Sequence, residues 1–154
     1  FGIHISGIEG NPWFVGPSQK VIGPMFAGYK PEDAGLDIGD SAITETYGIG
    51  GFAMAAAPAI VALVGGTIED ALRFSVEMQG ITTAENPNIT IPTLDFMGVP
   101  SGIDSLKVTQ TNTLPINNTA IAHKEAGIGM IGAGITHPPM EAFEKAIIAF
   151  SEQL

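Results

Sequence analysis

An uncharged run of 18 residues, from Ile49 to Gly66, places the tightest constraint on how this chain folds. Its length is close to the minimum for a bilayer-spanning helix, about 17 to 20 residues. Glycines crowd both ends of the run, however, and Pro58 in its middle removes a helical N–H. About 12 to 14 residues of good helix remain, which suits a buried helix of a globular core. We therefore predict a buried core helix here and not a membrane span.

The composition indicates one domain that has a partner. With 154 residues, the chain has the length at which a single core is usual. Only 14% of its residues are charged, whereas about 25% is typical. A surface this poor in charge is expected where another domain or subunit covers part of it. We predict a single domain, residues 1–154, in a homo- or hetero-oligomer.

Charge and cysteine content exclude several functional classes. The chain has 6 Lys and Arg against 16 Asp and Glu, which gives a formal net charge of −10. Because nucleic acids and anionic membranes need clustered cations and these are scattered singly, we expect neither as a partner. The absence of cysteine excludes a disulfide framework, a thiol nucleophile and a thiolate metal site.

The opening residues FGIHISGIEG carry no cationic region of a secretory signal and no initiator Met. Instead, apolar and polar residues alternate as in a strand with one buried face. We expect the chain to begin inside a longer protein.

Short strands and helices alternate irregularly along the rest of the chain. The patterns predict further strands around Pro92, over Ile116–Ala122 and over Ile128–Ile135, the last rich in glycine. Thr67 and Asp70 form a capping box for a helix to about Gln79, and Pro138 and Pro139 precede an amphipathic C-terminal helix. No regular βαβ order is visible, so we predict an irregular α+β fold.

The closest group of potentially reactive side chains is His123-Lys124-Glu125, at the end of a predicted strand. A proton carrier, a cation and a carboxylate meet there, although adjacent charges are also typical of a solvated turn. A glycine run follows, and it satisfies the pattern G-x-G-x-x-G at Gly127, Gly129, Gly132 and Gly134. No helix opens directly after it, so we expect close backbone approach, to a strand or to a small anion, and not a dinucleotide site.

Acidic and amide residues form the second group of candidates. Asp37, Asp40 and Glu45 are spaced so that a loop presents carboxylates to a cation such as Mg²⁺, or so that Asp40 caps a helix. Asp95 and Asp104 flank a Gly- and Pro-rich loop, where such residues commonly form turns. Asn117 at a strand start is suited to a polar ligand or to buried backbone groups.

Three segments in this order resemble the oxamate carbamoyltransferase AllG-type subunit family: GDSAITETYGIGGFAMAAAP, LDFMGVPSGID and PINNTAIAHKEAGIGMIGAGITHPPMEAFEKA. The resemblance runs from Phe1 to Leu154 and implies the C-terminal part of a longer, cytoplasmic family protein. It also implies a role in purine and allantoin breakdown, in which oxalurate and phosphate are interconverted with oxamate and carbamoyl phosphate. The implied partners are a small anion of this kind and other subunits or a preceding region.

By motif, the resemblance points to eight positions: Asp40, Glu45, Asp95, Asp104, Asn117, His123, Lys124 and Glu125. Of these we assign His123, Lys124, Glu125 and Asp40 to a catalytic set. The substrate-binding set consists of the other four together with the glycine run, Gly127, Gly129, Gly132 and Gly134. We expect His123 to act as general base, oriented by Glu125 or Asp40, while Lys124 and the glycine N–H groups stabilise an anion. Two alternatives stay open, namely a noncatalytic assembly domain and a domain that binds a divalent metal such as Mg²⁺ through Asp37 and Asp40.

Overall fold

A computed structural model describes residues 1–39 and 41–154. The α-helices are α1 (Ala42–Tyr47), α2 (Pro58–Leu63), α3 (Ile68–Gly80), α4 (Ser105–Thr111) and α5 (Met140–Ser151). The strands are β1 (Gly2–Ile3), β2 (Phe14–Val15), β3 (Thr82–Ile91), β4 (Met97–Ile103), β5 (Asn117–Ala122) and β6 (Met130–Thr136). Short 3₁₀ helices cover Pro31–Asp33, Gly50–Ala56 and Pro92–Leu94.

The strands pair as antiparallel ribbons in chain order: β1 with β2, β3 with β4, and β5 with β6. In the last of these, Asn117 lies opposite Thr136 and Ala122 lies opposite Met130. Helices pack around these ribbons without a regular βαβ order, which confirms the predicted irregular α+β class with Gly-rich strands and a C-terminal amphipathic helix.

An irregular N-terminal segment covers both edges of the β5–β6 ribbon. On the β6 side, the Phe26 N–H donates to the Ile131 carbonyl at 2.8 Å. On the β5 side, the Gly35 N–H donates to the Ala122 carbonyl at 2.9 Å. The ribbon is therefore held from two sides, and this fixes the position of the hairpin that joins its strands.

The main core lies between α3, α5 and the 3₁₀ helix Gly50–Ala56. Its buried members are Phe52, Met54, Val61, Val64, Ala71, Met78, Ile81, Val108, Ile116, Ala133 and Phe143. α3 begins at the predicted capping box, in which the Asp70 N–H donates to Thr67 Oγ1 and the Thr67 N–H donates to the Asp70 carboxylate. The predictions for α3 and α5 are confirmed.

The single helix predicted within Ile49–Gly66 is wrong. The structure has two short pieces there, the 3₁₀ helix and α2, separated at Ala57, whose φ is −138° and ψ is 67°. Because the ring of Pro58 clashes with a helical conformation of the preceding residue, Ala57 ends the first piece and Pro58 starts the next. Among the described residues, no helix is both long and apolar enough to cross a membrane.

The region around Pro92 also differs from the prediction. β3 ends at Ile91, and Pro92 starts a 3₁₀ turn because proline lacks the N–H that a ladder requires. The segment expected to be a loop between Asp95 and Asp104 is mostly strand β4, paired with β3 from Met97 to Ile103. Glycine and proline in β4 hide its strand character, and pairing across the ribbon overrides their low propensity.

Candidate functional site

A cleft with a volume of about 940 Å³ lies between the N-terminal residues, α1, the start of β5, the start of α4 and α5. Its walls are largely apolar, with side chains that include Ile3, Trp13, Ile43, Leu106, Phe143 and Phe150. The polar groups that line it include Glu45, Asn117 and Asp104. Three residues of the predicted substrate-binding set therefore share one cleft.

Glu45 is the most buried carboxylate of this cleft, with 2% of its surface exposed. Its Oε1 accepts hydrogen bonds from the backbone N–H of Gly51 at 3.0 Å and of Asn118 at 3.1 Å. Its Oε2 accepts the Thr44 hydroxyl at 3.0 Å. With the amide nitrogen of Asn117 turned toward the carboxylate, Asn117 donates to both oxygens, at 3.2 and 3.3 Å. These donors occupy both oxygens, so Glu45 joins α1, the 3₁₀ helix and β5.

The environment of Glu45 sets its protonation. Burial raises the pKa of Glu45, and the hydrogen bonds from Gly51, Asn118 and Thr44 oppose that rise. Gly50 packs directly against the Glu45 carboxylate: its φ is +69°, and a Cβ there would clash with Oε1. Position 50 therefore requires glycine, which lets the next residue, Gly51, donate its N–H to Glu45.

Asp104 lies at the rim of the cleft and caps α4. Its Oδ1 accepts the N–H groups of Leu106 at 3.0 Å and Lys107 at 3.2 Å. This is the local hydrogen bonding expected of an aspartate N-cap.

His123 lies at the other end of the same strand, well away from the cleft. Asn117 opens β5 and His123 follows its last residue, six positions on. At about 3.3 Å per residue, the two are separated by roughly 20 Å. The three consecutive residues His123, Lys124 and Glu125, here called the triplet, and the Glu45–Asn117 pair therefore form two separate sites. The predicted strand already implied this, because a strand keeps its two ends apart.

The triplet anchors the N-terminal segment as well as facing solvent. The Lys124 ammonium donates to the Glu32 carbonyl at 2.7 Å and lies 4.0 Å from Asp33 Oδ1. The Tyr29 ring meets the His123 ring edge-on, with centroids 5.9 Å apart. Glu125 contributes its backbone N–H, which donates to His123 Nδ1 at 2.9 Å.

The glycine run divides into two parts with different surroundings. Gly127 and Gly129 lie in the exposed hairpin turn with φ of +88° and +86°, and a Cβ at either would meet nothing within 4 Å. Gly132 and Gly134 lie in β6, where a Cβ would clash with the carbonyl oxygens of Pro24 and Ile22. Close backbone approach therefore accounts for the second pair, whereas the first pair lies in an exposed turn with open space around it.

The remaining candidates lie elsewhere. Asp95 closes the turn between β3 and β4 with φ of 52°, and it does not line the cleft. Asp40, a predicted catalytic residue, lies outside the described residues. Asp37 is 6% exposed, and within residues 1–39 and 41–154 no three His, Asp or Glu side chains form a metal-binding group.

Several partners at these sites were not foreseen from the sequence. Thr44, Gly51 and Asn118 bind Glu45, while Tyr29 and Glu32 meet the triplet. Lys124 and Glu32 are 92 positions apart, so no local spacing signals their contact.

Comparison with known proteins relates the chain to one family. Residues 1–41 match the family model described as oxamate carbamoyltransferase subunit AllG. The chain is 47% identical over 155 residues to the oxamate carbamoyltransferase subunit AllG of Escherichia coli (strain K12), covering 100% of this chain and 37% of that protein. It is 69% identical over 153 residues to the uncharacterized protein YahG of the same strain, covering 99% of this chain and 32% of that protein.

One solved structure is closely similar. A crystal structure of a conserved protein of unknown function from Enterococcus faecalis V583 matches with a TM-score of 0.95 and 70% sequence identity, covering 98% of this chain and 36% of that chain. The chain thus spans about a third of the length of these relatives.

Proposed function

Since the chain belongs to the AllG-type subunit family, we propose that it forms part of a carbamoyltransferase-associated subunit and that its β5–β6 hairpin contacts a small anionic substrate. The observation that carries this role is the 47% identity to AllG over the whole chain. The proposed reaction is the interconversion of oxalurate and phosphate with oxamate and carbamoyl phosphate, and the other subunits of the enzyme are the proposed partners.

The charges of the two sites favour the hairpin for the anion. Among the residues that the structure describes, the lining of the cleft includes Glu45 and Asp104 and no Lys or Arg. A phosphate or carboxylate in the cleft would therefore meet like charge in an apolar setting, which is unfavourable. The hairpin instead offers the half-exposed ammonium of Lys124, and the exposed backbone of Gly127 and Gly129 follows three and five positions later in the same turn. Ammonium and backbone N–H groups are the donors that phosphates and carboxylates bind.

The test uses a full-length AllG-type subunit with its partner subunits, assayed for carbamoyl transfer. Lys124→Ala removes a charge-assisted hydrogen bond, so we expect kcat/KM to fall by about tenfold or more. Lys145→Ala is the matched control, because Lys145 also donates to a backbone carbonyl, that of Val15, and also pairs with an acid, Glu141. Equal activity of the two variants would refute the hairpin as an anion site.

A second candidate function is assembly, favoured by exposed apolar side chains at the cleft. Trp13 is 65% exposed and Ile43 is 74% exposed, and both line it. The curated relatives carry about two-thirds of their length outside the matched region. The occupant proposed for the cleft is that remaining part of an AllG-type subunit, which would bury these side chains.

The comparison of two isoleucines tests the assembly function. Ile43 and Ile22 are similarly exposed, at 74% and 78%, but only Ile43 lines the cleft. In a full-length subunit we expect Ile43→Glu to lower the thermal unfolding midpoint by several degrees, and Ile22→Glu to leave it nearly unchanged. Two equal shifts would contradict a covered cleft.

A further inference from the structure

The ring of His123 is held in one tautomer by its own chain. The Glu125 N–H donates to His123 Nδ1 at 2.9 Å, and no described residue forms a hydrogen bond with Nε2. In a neutral imidazole, one nitrogen carries the proton and the other accepts. Because Nδ1 accepts here, the proton lies on Nε2.

From this geometry we infer that His123 is a hydrogen-bond donor, presenting Nε2–H to an oxygen of the bound anion, and not the general base. The inference rests on the proposed function of the hairpin. A general base needs a free lone pair, and the lone pair of this ring is on Nδ1, where the Glu125 N–H already occupies it.

The backbone that carries the ring is held by hydrogen bonds on both sides, and the ring itself packs against Tyr29. The His123 N–H donates to the Gly129 carbonyl at 2.9 Å across the hairpin. The following N–H, that of Lys124, donates to the Asp33 carbonyl at 2.7 Å, and the Tyr29 ring packs edge-on against the imidazole. A donor held in this way costs little reorganisation when an anion binds.

Carbamoyl transfer can proceed with His123 acting only as a hydrogen-bond donor. The oxamate nitrogen bonds to the carbamoyl carbon, the carbon–oxygen bond to phosphate breaks, and its electron pair leaves with phosphate. The proton lost by the nitrogen passes to the departing phosphate, so His123 neither gains nor loses one. Its Nε2–H stabilises the negative charge that develops on the carbamoyl oxygen.

Three substitutions in the full-length assembly separate the roles of donor and base. Glutamine places an amide N–H near the position of Nε2, whereas asparagine reaches only the position of Nδ1. We expect His123→Gln to keep kcat/KM within about tenfold of the wild type, and His123→Ala and His123→Asn to lose more than that. If the folded His123→Gln enzyme were as impaired as His123→Ala, the donor role would be overturned while the hairpin site stood. If His123→Ala kept full activity, the hairpin site itself would fail.

The tautomer has a direct readout that does not depend on activity. Nδ1 of His4 and Nδ1 of His137 each lie 3.0 Å from a backbone carbonyl, of Pro12 and Pro115. Since a carbonyl only accepts, these two rings carry the proton on Nδ1. Long-range ¹H–¹⁵N correlation spectra of histidine-labelled protein are expected to show His123 protonated on Nε2 and the other two on Nδ1. A neutral His123 protonated on Nδ1 would overturn the inference.

Discussion

Glu45 and Asn117 meet at the junction of α1 and β5, where the Asn117 amide nitrogen, when it is turned toward the carboxylate, lies 3.2 Å from Oε1 and 3.3 Å from Oε2. The two residues are 72 positions apart in the chain. Glu45 also receives the Gly51 and Asn118 N–H groups, so one buried side chain joins three parts of the fold at the cleft.

Removal of this carboxylate is expected to destabilise the protein strongly. Glu45→Ala leaves the buried donors of Gly51 and Asn118 without an acceptor, and each unsatisfied donor costs about 1–3 kcal/mol. We expect the free energy of unfolding, measured by urea denaturation, to fall by about 3 kcal/mol or more. Glu141→Ala is the control, because its pair with Lys145 is exposed and worth about 0–1 kcal/mol. Similar losses in both variants would contradict the joining role of Glu45.

The raised pKa of Glu45 predicts that its contribution to the stability of the protein decreases as pH rises. Burial raises the pKa of Glu45 above its ordinary value of 4.5. Between that value and the raised one, the native chain holds a proton that the unfolded chain has lost, so stability falls as pH rises. Glu45→Gln cannot titrate. We expect unfolding free energies measured across this window to shift in favour of Glu45→Gln as pH increases, and to level off above the folded pKa. A shift in favour of the wild type would contradict this.

Asp70 has the opposite effect at lower pH, because its contribution to stability decreases as pH falls. The hydrogen bond from Arg73, followed by those from Thr67, lowers the pKa of Asp70 from 3.8 to about 2. Its contribution to stability is fully present above pH 3.8 and is lost as pH falls toward about 2. We expect thermal midpoints of the wild type and Asp70→Asn to converge over that range. Arg73→Gln removes the largest cause and should weaken the convergence, and a constant difference between wild type and Asp70→Asn would count against the assignment.

Two glycine substitutions are expected to act in opposite directions. Gly134→Ala brings a Cβ into the carbonyl of Ile22 and the segment that covers β6, so we expect a loss of about 1–3 kcal/mol in unfolding free energy. Gly80→Ala meets nothing within 4 Å in α3, and alanine favours a helix by about 0.5–1 kcal/mol. Chemical denaturation of both variants checks this pair. A gain of stability in Gly134→Ala would refute the close packing of the N-terminal segment on β6.

Much of the local structure could be predicted from neighbouring residues. The Thr67 and Asp70 capping box, the apolar periodicity after Pro139 and the alternation in residues 117–122 each lie within a few positions. β4 could not be recognised in this way, because its Gly98, Pro100 and Gly102 are poor strand formers and only pairing with β3 makes it a strand.

In the candidate sites, too, neighbouring residues could be recognised from the sequence, whereas the contacts of their side chains could not. The sequence located His123, Lys124 and Glu125 at a strand end, and it included Glu45 and Asn117 among the substrate-binding residues through the family resemblance. It did not predict that Nδ1 of His123 accepts the Glu125 N–H, because the path of the backbone after β5 decides which nitrogen of the ring is occupied.

The sequence by itself determined the α+β class, α3, α5 and the strands of the last hairpin, because capping, periodicity and turn formation act over a few residues. Only the tertiary structure decided that Glu45 is held by Asn117 and Asn118 and that Lys124 reaches the Glu32 carbonyl. These contacts join residues 72 to 92 positions apart. Their formation depends on how the whole chain buries its apolar side chains, which no local pattern specifies.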